Sequence, residues 1–185
     1  IAEGNAMLID TPYGKIFHTG DWKLDDEPLL GTPSTPEELK AVGDEGILAL
    51  VCDSTNVFND KASGSEGEVR RNLMRVVENI DTRVVVTTFA SNAARLQTLG
   101  EVAIHAGRTM CVAGRSLNRM IENGRETGYF KEFPPTVDFE EAMNLPRDKV
   151  MIIATGGQGE ARAALGRIAG DSHKLKLSSG DHVLF

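Results

Sequence analysis

Two carboxylates stand directly behind strand-like runs. Asp21 closes the segment Phe17-His-Thr-Gly-Asp21, one residue after a glycine that allows close backbone approach, and Asp53 follows the apolar run Ile47–Cys52. Carboxylates at neighbouring strand ends suit a shared hard or borderline metal ion, or a division in which one binds metal and the other handles protons. Aspartate at a strand exit also forms turns and caps helices. His18 is a further ligand candidate and equally a packed, hydrogen-bonded ring inside its strand. A second kind of chemistry is written in Thr155-Gly-Gly-Gln-Gly-Glu160, covering Gly156, Gly157, Gln158, Gly159 and Glu160. Glycines there turn backbone N–H groups toward an anion, and a helix is expected to start at once from Glu160. The segment lacks the Lys-Ser/Thr ending of a P-loop and the register of a dinucleotide fingerprint. A tight strand-to-helix connection accounts for it as well. Ser91-Asn92 and Arg115-Ser116 add side chains suited to donate to phosphate.

These groups share one kind of position. The apolar runs Ile47–Cys52, Arg83–Thr88, Arg108–Ala113 and Lys149–Ala154 each give way to a short polar segment that opens a helix-like stretch. In a parallel α/β sheet such junctions line one edge, where helix N-termini offer unpaired N–H groups and partial positive charge. Phosphate is a natural guest there.

The elements that must hold this edge can be read from the pattern. Ala6–Asp10 and Lys15–Thr19 read as a hairpin across Thr11-Pro-Tyr-Gly14. Thr35-Pro-Glu-Glu38 is a capping box with proline in the first helical position, opening a helix that ends near Gly43. Ile47–Cys52 lacks alternation, which predicts burial of both faces. Ser65 and Glu68 form another capping box, and Val69, Leu73, Val76, Val77 and Ile80 recur at helical spacing, predicting a helix over Glu66–Ile80. Helices are further expected over Asn92–Ala106, Ser116–Thr127 and Glu160–Ala169, with a closing strand at His182–Phe185. Gly128–Asp148, marked by Pro134, Pro135 and Pro146, is expected to be an extended excursion. The sum is α/β: a doubly wound, mostly parallel sheet of four or five strands with helices on both faces.

Composition narrows the function classes. The 185 residues, 41% of them hydrophobic and 25% charged, suffice for one good core or one core and part of another. The net charge of −7 argues against nucleic-acid binding by bulk attraction, though not against a local groove. Arg70, Arg71 and Arg75 on one predicted helix, and Arg115, Arg119 and Arg125 on another, read first as solvated faces. Cys52 and Cys111 lie inside strand-like runs, so two buried thiols in a reducing compartment are expected. No apolar run approaches the ~20 residues of a membrane span. The first residue is Ile1, and no basic leader precedes an apolar core, so we expect a piece of a longer chain from which no signal peptide was trimmed.

Six ordered motifs carry a family resemblance over essentially the whole chain. They are His18-Thr-Gly-Asp-Trp-Lys23, Cys52-Asp-Ser-Thr-Asn56, Thr88-Phe-Ala-Ser-Asn92 with Arg95-Leu96, Gly114-Arg-Ser116, Leu145-Pro-Arg-Asp-Lys149 and Thr155-Gly-Gly-Gln-Gly-Glu160. In order and spacing they resemble bacterial ribonuclease J, a metallo-β-lactamase superfamily member with an inserted β-CASP domain. The resemblance implies residues 1–56 as the closing part of a metallo-β-lactamase domain and 57–185 as the β-CASP domain. It also implies a cytoplasmic, zinc-dependent RNA phosphodiesterase with two zinc ions, acting as endonuclease and as 5′-to-3′ exonuclease in RNA processing and decay. Asp21 then corresponds to the metal-bridging aspartate, and Asp53 to an acidic catalytic residue that moves protons or orients a metal ligand. Ser91, Asn92, Arg115, Ser116 and the glycine-rich turn would hold single-stranded RNA or its 5′-monophosphate. The family's His-x-His-x-Asp-His cluster is absent, so the isolated chain is expected to be inactive, while the parent is expected to be a homo-oligomer. Gly157 stands where the family commonly has serine, and Ala94 replaces a frequent histidine. The alternatives are a β-CASP hydrolase acting on DNA and a non-catalytic nucleotide- or phosphate-binding module.

Overall fold

A computed structural model describes residues 4–61 and 63–185; Ile1 and the two residues after it lie outside that range, as does Ala62. The chain divides into two compact units, the first ending at Glu68 and the second running from Val69 to Phe185.

In the first unit, β1 (Met7–Thr11) and β2 (Gly14–His18) form the expected hairpin, with Thr11 opposite Gly14. The Thr11 hydroxyl donates to the Gly14 carbonyl at 2.7 Å, closing the turn through Pro12 and Tyr13. α1 (Pro36–Asp44) starts where the capping box predicts: Thr35 Oγ1 accepts from the Glu38 N–H and the Glu38 carboxylate accepts from the Thr35 N–H. β3 (Ile47–Val51) then pairs in parallel with β2, making a three-stranded sheet in the order β1-β2-β3.

The expected burial of β3 does not hold. Leu48 is 66% and Leu50 61% exposed, because β3 is an edge strand of a small sheet whose packed neighbours in this unit are β2 and the short α1. An unalternating apolar run reports what a strand is suited to touch, not what one unit supplies. Cys52, expected to be buried, is exposed for the same reason. Cys111 is buried as expected, and desolvation pushes its thiol up to about 11. Both are free thiols.

The second unit is built on β4 (Val84–Thr87), β5 (Thr109–Ala113), β6 (Thr136–Val137), β7 (Val150–Ala154) and β8 (His182–Leu184). They form an all-parallel sheet in the order β6-β5-β7-β4-β8. Parallel strands need crossovers, and these are helices: α2 (Glu66–Glu78) enters the sheet, followed by α3 (Ala93–His105), α4 (Arg115–Glu126), α5 (Phe139–Asn144) and α6 (Ala164–Ala169). One face buries Val85, Cys111, Ile152 and Ala154 against Ala142 of α5 and Ala164 and Ile168 of α6. Alternate residues point the other way, where Val77, Leu96, Leu99, Val102, Leu117 and Ile121 are buried on α2, α3 and α4. The doubly wound α/β reading therefore holds.

Two expectations need correction. The excursion Gly128–Asp148 contains the edge strand β6, then α5, whose N-cap Asp138 accepts from the Glu140 and Glu141 N–H groups at 2.8 and 2.9 Å. The helix expected from Glu160 begins at Ala164, because Gly159 has φ 79° and Glu160–Ala163 forms a separate turn, with the Ala163 N–H bonded to the Glu160 carbonyl at 2.9 Å.

Two of the arginines are more engaged than a solvated face implies. Arg70 pairs with Glu101 at 2.5 Å, while Arg125 donates to the Pro134 carbonyl at 2.9 Å and lies 5.6 Å from the centre of the Phe133 ring. Close packing in this region depends on Gly124, where an added Cβ would come within 2.3 Å of the buried Phe130 ring. Gly124→Ala is therefore expected to cost about 1–3 kcal/mol through overpacking, despite alanine's better helix propensity. Urea unfolding checks it: an unchanged or higher midpoint would mean that α4 and Phe130 separate without penalty.

Candidate functional site

Sheet register fixes the edge on which most candidate residues lie. In the second unit Thr87, Ala154 and Ala113 are partners across β4, β7 and β5, so these three central strands end level with one another. Backbone bonds continue past the ends: the Thr88 N–H reaches the Ala154 carbonyl at 3.1 Å, and the Thr155 N–H the Ala113 carbonyl at 3.3 Å. The segments after them are therefore neighbours. Phe89–Asn92 leads into α3, Gly114 into α4, and Thr155–Ala163 into α6. The segments approach closely: a Cβ on Gly157 would lie 3.0 Å from Thr87 Oγ1, a tight contact, and one on Gly114, whose φ of 153° itself favours glycine, 3.0 Å from Thr155 Cγ2.

Ser91, Asn92, Arg115, Ser116 and Gly156–Glu160 are thus gathered at the C-terminal edge of one sheet. Ser91, Arg115 and Ser116 are exposed. Asn92 is the N-cap of α3, its side chain accepting from the Arg95 N–H at 3.0 Å. α4 opens after Gly114 with no side-chain cap, and Arg115 and Ser116 occupy its first turn.

The glycine-rich turn is more occupied than its sequence suggests. Thr155 takes up the start of α6, its hydroxyl oxygen accepting from the Ala164 N–H at 3.1 Å and its carbonyl from the Leu165 N–H at 2.9 Å. Glu160 places its carboxylate on the Gln158 N–H at 3.0 Å. An anion reaching that amide meets a negative charge already there.

Asp21 and Asp53 belong to the first unit and are described within it. The Thr19 N–H extends the β2–β3 pairing to the Val51 carbonyl at 3.0 Å, and Gly20, at φ 63°, turns the chain so that its N–H donates to His18 Nδ1 at 3.0 Å. Asp21 follows, exposed. Trp22 then reaches across, its indole Nε1–H donating to the Asp53 carbonyl at 3.1 Å. Asp53 accepts on one carboxylate oxygen from both the Thr55 hydroxyl, at 2.5 Å, and the Thr55 N–H, at 2.9 Å. Those bonds, the hydroxyl foremost, hold its pKa below the usual carboxylate value. At neutral pH Asp53 is an anion and a weak proton acceptor.

Among the described residues no group of three or more His, Cys, Asp or Glu is placed to hold a metal ion. Zinc takes about three or four protein ligands. Asp21, Asp53 and His18 fall short of that, with His18 Nδ1 and one Asp53 oxygen already engaged. The described residues do not by themselves fit a zinc pair. No described helix is long and apolar enough to cross a membrane.

Residues that tie together the opposite, N-terminal ends of these strands escaped the sequence pattern. Arg147, in the Leu145–Lys149 motif, binds Asp181, 34 positions away, and Arg108 binds backbone carbonyls from several elements. No local spacing announces either arrangement.

An open parallel sheet with polar side chains and glycine turns along the carboxyl ends of its strands is an α/β domain of the class that binds ligands at that edge. Residues 81–185 match the family described as "Ribonuclease J, beta-CASP domain", and the chain belongs to the ribonuclease J family. It is 41% identical over its whole length to "Ribonuclease J" of Sinorhizobium meliloti, covering 33% of that protein. It is likewise 41% identical to "Ribonuclease J 1" of Streptococcus pyogenes, again covering 33%, and 37% identical to "Ribonuclease J" of Thermus thermophilus, covering 32%. The chain thus spans about a third of the length of the curated relatives it matches.

Proposed function

We propose that this chain is the RNA-binding β-CASP portion of a ribonuclease J-type phosphodiesterase, acting as endonuclease and 5′-to-3′ exonuclease on single-stranded RNA in the cytoplasm. The observation that carries the reading is the meeting of Ser91, Asn92, Arg115, Ser116 and the Gly156–Glu160 turn on one sheet edge of a domain that belongs to this family. Arg115 supplies charge-assisted hydrogen bonds to phosphate oxygens, Ser91 and Ser116 supply hydroxyl donors, and the amides opening α4 add partial positive charge. This suits the RNA backbone and, at its end, a 5′-monophosphate. Aspartates 21 and 53 belong in this reading to the catalytic part, Asp21 as one metal ligand and Asp53 orienting a neighbouring ligand or handling a proton. Zinc, two ions per complete site, would stabilise charge on the attacked phosphate and supply a reactive water. Most of its ligands would come from outside this chain, which is inactive alone. The complete protein would be a homo-oligomer.

The test compares binding of 5′-monophosphorylated single-stranded RNA, the same RNA with a 5′-hydroxyl, and DNA of the same sequence. The monophosphorylated RNA is expected to bind most tightly, and Arg115→Ala to weaken it and lower the salt dependence by about 0.7 in slope, one phosphate contact. Equal binding of all three ligands, or none, would overturn the reading.

A further inference from the structure

A nucleic-acid edge needs something for the bases as well as for the phosphates. In the second unit the exposed aromatic rings among the described residues are Phe89 and the last residue, Phe185, whereas Phe130 and Phe133 are buried and stacked on each other. Phe89 is 54% exposed and stands in the loop after β4, three residues before the α3 cap Asn92. Its backbone is fixed: the Phe89 carbonyl accepts from the Asn92 N–H at 3.1 Å and from the Thr88 hydroxyl at 3.4 Å. The strand before it carries Thr87, against which Gly157 of the glycine turn packs. The ring is therefore an apolar surface in a region whose other groups are polar, on a rigid turn, beside candidate phosphate donors.

We propose that Phe89 is a stacking platform for a base of the bound single-stranded RNA, next to the nucleotide whose phosphate meets the Asn92–Ser116 edge. This rests on the reading of that edge as an RNA site, and adds the element that grips bases. Every base has a π-face, so the platform holds the strand without selecting its sequence. The ring has two side-chain torsions and a fixed backbone, so little freedom is lost when a base covers it.

The experiment measures binding of 5′-monophosphorylated hexa-adenylate by the chain and by Phe89→Ala and Phe89→Trp, together with the same oligonucleotide made abasic. Phe89→Ala is expected to bind hexa-adenylate roughly 5- to 150-fold more weakly, the range of one lost base stack, while Phe89→Trp binds at least as well as the unaltered chain. On abasic RNA all three bind alike, and the salt slope of Phe89→Ala on hexa-adenylate is unchanged, unlike that of Arg115→Ala. Because Phe89 is exposed, each variant should unfold in urea at the midpoint of the unaltered chain. Hexa-adenylate binding unaffected by Phe89→Ala, or an equal loss on abasic RNA, overturns the platform and leaves the RNA site standing. If the unaltered chain binds neither oligonucleotide, the RNA site falls and the platform with it.

Discussion

Asp181→Ala is expected to destabilise the second unit by about 3–5 kcal/mol, read as a fall in the urea midpoint at unchanged slope. The Asp181 side chain is 1% exposed and receives the Arg83 guanidinium at 3.1 Å, Arg147 Nε at 3.0 Å and Nη2 at 2.5 Å, and the Ser178 N–H at 2.8 Å. Alanine would strand the buried Arg83 charge, which keeps a bond to the Lys176 carbonyl at 3.3 Å but loses its counter-ion. The same carboxylate holds the loop that delivers β8, whose first residue, His182, donates its N–H to the Arg83 carbonyl at 2.9 Å. Asp181→Asn keeps the shape but loses the charge, and should fall between the two. A loss under about 1 kcal/mol for Asp181→Ala would mean that water or another carboxylate replaces it.

A large loss, about 3–5 kcal/mol, is also expected for Arg108→Ala, because it leaves several buried carbonyls without their charged donor, each costing about 1–3 kcal/mol before relaxation. Its guanidinium donates to the carbonyls of Thr82 at 2.8 Å, Val150 at 3.2 Å, Val77 at 3.5 Å and Ile80. Val77 is in the last turn of α2 and Ile80 two residues beyond its end, where the helix terminus favours a cation, while Val150 opens β7. Burial lowers the Arg108 pKa, yet a guanidinium remains charged at any ordinary pH. Arg108→Lys restores charge without the planar fork and should recover only a minor part of the loss. Hydrogen exchange gives the site of damage: amides at the end of α2 should lose protection before those of β7. Full recovery by lysine would show that charge, and not the fork, holds these elements.

How much the sequence revealed follows from how local each signal was. The apolar runs Arg83–Thr88, Arg108–Ala113 and Lys149–Ala154 marked β4, β5 and β7, and helical patterning marked α2, α3 and α4 within a few residues of their ends. α5 and β6 were missed because a six-residue helix and a two-residue strand barely repeat any period, although Asp138 followed by Glu140 and Glu141 was a readable start signal. α6 starts later than the glycine-rich pattern predicts because two turns precede it, closed by the Gly159 N–H on the Gly156 carbonyl and the Ala163 N–H on the Glu160 carbonyl. Strand-to-helix junctions placed Ser91, Asn92, Arg115 and Ser116 on one edge, since parallel topology leaves them nowhere else. What the residues there do to one another was not legible. Asn92 as a cap, Glu160 turned onto its own loop, and Asp53 satisfied by Thr55 depend on rotamers and turns that residue types permit without requiring. The Arg83–Asp181–Arg147 cluster spans nearly a hundred positions, and spacing rules have no purchase at that range.

The indole of Trp22 leaves the first unit with a built-in calliper. One jaw is Asp21, joined to the tryptophan by a single peptide bond; the other is Asp53, gripped through its own carbonyl. That single solvent-exposed bond links the two loops that carry the acids, and so favours one spacing between them without fixing it. Trp22→Phe would leave the jaws in place and remove the pin between them.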